Sequence, residues 1–205
     1  QVIGGDVEPT GICGSGLIDI VAQLRLAGLI DDGGKMRSAD EVEGHPLAEH
    51  LVMREDVRAF RLHGEVVLTQ SDVRALQFAK GAISTGIETA MRAMSLSAED
   101  LDEVMLAGSF GSYINPRSAQ VIGLIPPVPV DKIKAVGNTA SEGAKMALMS
   151  FREREVAWEI PGIVEYIELS GVEDFNDRFI GNLGLPPLDT LPDLHVESPV
   201  REATG

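Results

Sequence analysis

Two glycine clusters carry the residue types best suited to holding a ligand. Gly11-Ile12-Cys13-Gly14-Ser15-Gly16 opens onto Leu17, Ile18, Val21 and Leu24, so a glycine loop feeds a helix that Gly28 stops. Glycines let backbone N–H groups converge and the helix start adds its positive end, the chemistry of an anion cradle. The same run also serves as a tight turn that packs the helix. It lacks the Lys-Ser/Thr of a P-loop, and Pro9 argues against a preceding strand. Gly108-Ser109-Phe110-Gly111 follows the short apolar run Glu103-Val104-Met105-Leu106-Ala107, which reads as a buried strand. A glycine turn at a strand's carboxyl end stands where α/β sheets place ligands, and bare backbone there lets a planar base or a ribose lie close. No other group assembles. His45, His50, His63 and His195 lack metal-ligand spacing and read as surface or turn residues. No Gly-x-Ser-x-Gly elbow occurs. Cys13, the single cysteine, supports neither an intrachain disulfide nor a four-thiolate cluster.

These clusters must be positioned by alternating strands and helices. Ala59 to Leu62 and Glu65 to Leu68 flank His63-Gly64, the pattern of a hairpin whose glycine supplies the positive φ. Thr69-Gln70-Ser71-Asp72 has capping-box form, and a helix over residues 71–94 follows. Val73, Leu76, Ile83, Ile87, Ala90 and Met94 are its core-facing stripe; Gln77, Lys80, Gly81, Ser84 and Glu88 lie on another face. Gly81 and Gly86 each cost a helix about 1 kcal/mol relative to Ala, so a packed helix or a ligand approaches the backbone there. Asn115-Pro116 reads as N-cap and N1 of a short helix that Gly123 ends. A strand over residues 132–136 leads through Gly137-Asn138 into a helix with a small-residue face at Ala140, Gly143, Ala144 and Ala147. Residues 35–57 read as irregular with one short helix near residues 47–53, residues 163–169 as a strand, and Phe175, Phe179 and Leu183 as one face of a last helix. The order is α/β, divided into a body of residues 1–183 and a Pro-rich, acidic, flexible tail of residues 184–205.

Composition narrows the partners. With 205 residues, 44% hydrophobic and 24% charged, the chain folds. Its net charge of −15 repels phosphate backbones and anionic lipid, excluding a general nucleic-acid or membrane binder. No apolar run approaches the ~20 residues of a span, so the expected location is cytoplasmic. The start at Gln1, without Met or a signal sequence, suggests a piece of a longer protein.

The motif order resembles the second lobe of the actin, sugar-kinase and heat-shock-70 ATPase superfamily, an actin-like (ribonuclease H-like) lobe with a mixed sheet flanked by helices. Five stretches resemble something narrower: residues 11–19, Leu68-Thr69-Gln70-Ser71-Asp72-Val73-Arg74, Ala79-Lys80-Gly81-Ala82-Ile83, residues 106–113, and Ile122-Gly123-Leu124-Ile125-Pro126. Together, across about residues 8–183, they look like the C-terminal region of ATP-dependent reductive activators of corrinoid proteins. That resemblance implies a lobe that helps return Co(II) corrinoid to Co(I) for methyl transfer. ATP and Mg²⁺ are the implied cofactors, with a [2Fe–2S] ferredoxin domain upstream and absent from this chain. The implied partner is a corrinoid (cobalamin) protein or its methyltransferase, and a homodimer is compatible. Gly108, Ser109, Phe110 and Gly111 would contact adenosine, Gln77 and Lys80 would flank base or ribose, and Gly14, Ser15 and Gly16 would lie nearer the phosphates. No Asp-x-Gly-Thr phosphate loop is present, so the chain alone is expected to bind nucleotide weakly and not to turn it over. The alternatives are a lobe of a small-molecule kinase of that superfamily and a binding module that has lost ATP.

Overall fold

The computed structural model describes residues 3–192 and 194, with Ser109 and Phe110 described by backbone alone. Local signals set most of the boundaries. α1 (Gly14–Leu26) starts where Cys13 Sγ accepts the Gly16 N–H at 3.4 Å and stops before Gly28, whose φ is +72°. β1 (Leu51–Arg54), β2 (Val57–His63) and β3 (Val66–Thr69) form an antiparallel sheet in that order. Glu55 and Asp56, both at positive φ, make the two-residue link from β1 to β2, and Gly64 at +51° makes the expected turn from β2 to β3.

Thr69 caps α2 (Gln70–Ala93) as a full capping box with Asp72. β4 (Val104–Ala107) leads into the single helical turn α3 (Gly108–Gly111). α4 (Pro116–Val121) starts at the Asn115 cap and ends before Gly123 at +73°. β5 (Ile133–Gly137) pairs in parallel with β4, Val104 opposite Ile133 and Ala107 opposite Gly137. α5 (Thr139–Met149), α6 (Phe151–Glu159) and α7 (Phe175–Gly181) complete the described helices. Antiparallel and parallel pairing thus occur in two separate sheets among the described residues.

The core joins α1 to α4 and to the three-stranded sheet. Ile18, Val21, Ala22 and Leu24 meet Ala119, Val121 and Ile122, with Leu29, Met36, Phe60, Leu68 and Val73 closing the same cluster. Burial of this kind supplies the main favourable term in folding.

Four expectations are corrected. The apolar stripe of α2 does not face the core along its length: Val73 is buried, but Ile83 and Met94 are 52% and 69% exposed, while Gln77, Lys80, Thr85 and Thr89 are buried. The covering chain is polar backbone, which selects polar side chains. Residues 163–169 form no strand. They run as coil into a 3-10 turn at Leu169–Gly171, with no strand among the described residues pairing with them. Near residues 47–53 only a 3-10 turn, Ala48–His50, precedes β1, because Leu51 to Arg54 pair with β2. Residues 184–192, read as the start of a tail, lie in the body: Leu185 and Leu191 are core residues. The remainder of that tail, apart from Leu194, lies outside the described residues.

Candidate nucleotide-binding site

β4 and β5 run side by side and release the chain at the same rim, each into a left-handed glycine. Gly108 has φ +86° and Gly137 has φ +69°. A Cβ placed on either would meet nothing within 4 Å, so the space above both is open. Gly111 is different. Its Cβ would lie 2.9 Å from the Leu106 carbonyl carbon, which fixes glycine there for packing, since the turn folds back on its own strand. The Ser112 amide and hydroxyl both donate to Gly108 O at 3.2 Å and hold the turn closed. Beyond Gly137, Asn138 Oδ1 accepts the Ser141 N–H at 3.1 Å and caps α5, so a helix starts at the same rim. The arrangement is the crevice outside the carboxyl ends of parallel strands, where such folds bind ligands. Gly108–Gly111 holds no acid or base.

Gly14, Ser15 and Gly16 lie elsewhere. Gly14 lines a cavity of about 670 Å³ with Cys13, His63, Val67 and the acids Glu8 and Asp72. Glu8 pairs with His63 Nε2 at 3.0 Å. The Ser15 hydroxyl and the Gly16 N–H hold the exposed Cys13 thiol below its ordinary pKa. A Cβ on Gly16 would come within 3.2 Å of Cys13 Sγ, which favours glycine beside the cap.

Gln77 and Lys80 occupy a third place, each 3% exposed. Gln77 Nε2 donates to Leu183 O at 2.6 Å and Gly33 O at 3.1 Å, and Lys80 Nζ donates to Gly184 O. Further along α2, Asn182 Nδ2 donates to Thr85 Oγ1 and Glu88 Oε2, both at 3.0 Å, and Arg92 pairs with Asp174 at 2.9 Å. Leu183 fills the notch at Gly81, where a Cβ would meet its Cδ2 at 3.2 Å. The close approach that the glycine signalled is therefore made by the chain's own residues. Burial pushes the Lys80 ammonium down to about 8, with Glu88 opposing. Lys80, Ser84, Gln120 and Gly123 also line a cavity of about 530 Å³.

Sequence reasoning missed this strap, residues 182–187. Its signal was Leu185 and Leu191 among prolines, apolar residues with no reason to be in a solvated tail.

A model of the family described as the C-terminal domain of RACo, the ASKHA domain, matches residues 1–195. The chain belongs to this family. The corrinoid activation enzyme RamQ of Eubacterium limosum is 35% identical to it over 187 residues, 87% of this chain and 32% of that protein. The solved structure of a reductive activator for corrinoid, iron-sulfur protein superposes with a TM-score of 0.79 at 36% identity, covering 93% of this chain and 31% of that one. As a RACo C-terminal ASKHA domain, the chain has the expected α/β, actin-like fold. It spans about a third of the length of the relatives it matches. No helix among its described residues is long and apolar enough to cross a membrane.

Proposed function

We propose that this domain is the nucleotide-binding lobe of an ATP-dependent reductive activator that returns Co(II) corrinoid protein to Co(I) for methyl transfer in the cytoplasm. The observation that carries the reading is the superposition, at 36% identity over 93% of the chain, on a reductive activator for corrinoid, iron-sulfur protein. Adding one electron to Co(II) gives Co(I). A [2Fe–2S] centre in a preceding domain would supply that electron; the one cysteine of this chain cannot hold such a cluster.

The rim fits the adenosine end of a nucleotide. Gly108 and Gly137 leave open space where side chains would stand, and Gly108–Gly111 presents main chain to a flat base. ATP supplies binding and hydrolysis free energy. This chain's residues convert it into a preference for one arrangement of lobes over another, so coupling is a difference in affinity between two states. Gly14, Ser15 and Gly16 take the phosphate side. Gln77 and Lys80 reach base or ribose only when the Leu183 and Gly184 carbonyls release them. Among the described residues no group of three or more His, Cys, Asp or Glu could hold a metal ion.

The test is Gly108→Val in the complete polypeptide. A branched Cβ at φ +86° is strained and fills the open rim. ATP affinity by calorimetry should fall more than roughly tenfold, or about 1.4 kcal/mol, with corrinoid-protein binding unchanged. Unaltered ATP affinity would overturn the assignment. The 205-residue chain alone should bind weakly, and steady phosphate release from it would contradict the half-site reading.

A further inference from the structure

α2, the strap and the loop that follows α4 meet around the cavity of about 530 Å³, a size within the roughly 300–1,000 Å³ of small-molecule sites. It lies away from the nucleotide rim. Ala98, which leads into β4, and Pro126 and Pro127, which lead into β5, belong to its wall, so it sits toward the amino ends of those strands, whereas the rim is at their carboxyl ends. Much of the wall is apolar, with Ile87 and Met91 of α2, Leu124 of the loop and Leu185 of the strap.

Two buried polar side chains interrupt that wall, and their needs are opposite. Gln120 is fully out of solvent, and its Nε2 donates to Val128 O and, at 3.3 Å, to Pro126 O. Both amide protons are thereby spent on main-chain carbonyls, which fixes the end of the amide that is oxygen. Oε1 accepts nothing among the described residues. Lys80 lacks an anion. Its Nζ donates to Gly184 O and lies 3.3 Å from where a Cβ on Gly123 would stand, while Glu88 acts on it without a hydrogen bond and gives its own Oε2 to Asn182. Lys80 gives up its proton only near 8, so at pH 7 the buried group is a cation. A buried cation without an ion partner and a buried acceptor without a donor are each costly, and each is relieved by the complementary group.

We propose that this cavity binds a small carboxylate with an apolar tail and one hydrogen-bond donor, the chemistry that aliphatic amino acids and hydroxy acids share. The carboxylate pairs with Lys80 Nζ, the ammonium or hydroxyl donates to Gln120 Oε1, and the tail lies among Ile87, Met91, Leu124 and Leu185. A plain hydrocarbon would leave both polar groups as they are, and a phosphate ester or dicarboxylate would set further charge against apolar walls. Since α2, the loop and the strap each supply part of the wall, an occupant also ties the strap to the body. The inference stands on the cavity and its two buried groups and uses neither the nucleotide nor the corrinoid reading, so either can fail without the other.

Leucine, its hydroxy analogue leucate and the unsubstituted isocaproate are titrated by calorimetry into the complete polypeptide at pH 7. Leucine or leucate should bind at least about tenfold more tightly than isocaproate, which has no donor for Gln120, and the tighter of the two identifies the donor as ammonium or hydroxyl. Leucinamide, without the carboxylate, should not bind. Lys80→Met should weaken binding by about tenfold or more, and Ile87→Trp, at a half-buried position where a larger ring fills the cavity, should abolish it. Hydrogen exchange on the ligand-bound wild-type polypeptide should show added protection in residues 123–127 and 182–187 with α1 unchanged. ATP should leave the affinity within about twofold. Absence of binding by both acids at millimolar concentration, equal affinity for isocaproate, binding that neither variant weakens, or displacement by ATP would each overturn the proposal.

Discussion

Two seams hold the body together, and they work by different physics. Between α1 and α4 the contact is apolar, with Val21, Ala22, Leu24, Val121 and Ile122 packed out of solvent. Between α2 and the strap it is polar, with side chains of one helix reaching the carbonyls of an irregular segment. An apolar seam depends on volume and tolerates shifts of partner. A polar seam depends on register, because each buried donor must find its acceptor. The first is therefore legible as a pattern, and the second is legible only as a set of pairs.

Ile122→Ala should show the largest effect, a loss of about 2–5 kcal/mol from cavity formation and lost transfer energy. It is read as a lower urea midpoint at unchanged slope. Gln77→Leu should cost about 1–3 kcal/mol, because the buried Leu183 carbonyl loses its partner although the volume is kept. An unchanged midpoint would break the distinction, since the strap would then be held by apolar contact.

Lys80→Met sharpens it through pH. Folded Lys80 gives up its proton near 8, and the unfolded chain near 10.5. Between those values the unfolded state holds more protons, so wild-type stability rises with pH through that window. Below it the cost of the buried cation is fully present. The stability of the Met variant relative to wild type should be highest at pH 7 and fall by about pH 10.5, measured by urea melts across the range; the unpaired Gly184 carbonyl adds a cost that does not vary with pH. Equal pH profiles would remove Lys80 from the seam's electrostatics. Asn182→Ala, at the solvent edge, should cost least, about 0.5–1.5 kcal/mol, and a larger midpoint shift would place the seam's centre at Thr85 and Glu88 rather than at Gln77.

What sequence reasoning captured is what is decided within a few residues. The Thr69 and Asp72 capping box, the Asn115-Pro116 start of α4, the stop at Gly28 and the turn at Gly64 each depend on neighbours within one turn of chain. The Gly108 turn and its strand were equally local. The buried face of α2 was not, because its partner Leu183 is 106 residues away and contributes a carbonyl, which every residue type carries. Hydrophobic periodicity found Val73 and then misassigned Ile83 and Met94, since no apolar surface waits for them among the described residues. The apolar run at residues 163–169 misled for a related reason. Its composition suits a sheet interior, but the chain offers it no strand. Of the candidate site, the residue types were legible and their grouping was not: the three clusters occupy three separate places.

The ledge formed where β4 and β5 end sets Ala107 opposite Gly137, with Gly108 next in line, and both glycines leave open space where a side chain would stand. On the proposed reading, the space left by Gly108 and Gly137 admits a flat ring, and neither residue has a side chain to read the ring's exocyclic groups. Preference for one fuel over another then falls to the wall that closes from the opposite side, and exchanging that wall would change the nucleotide used without altering this ledge.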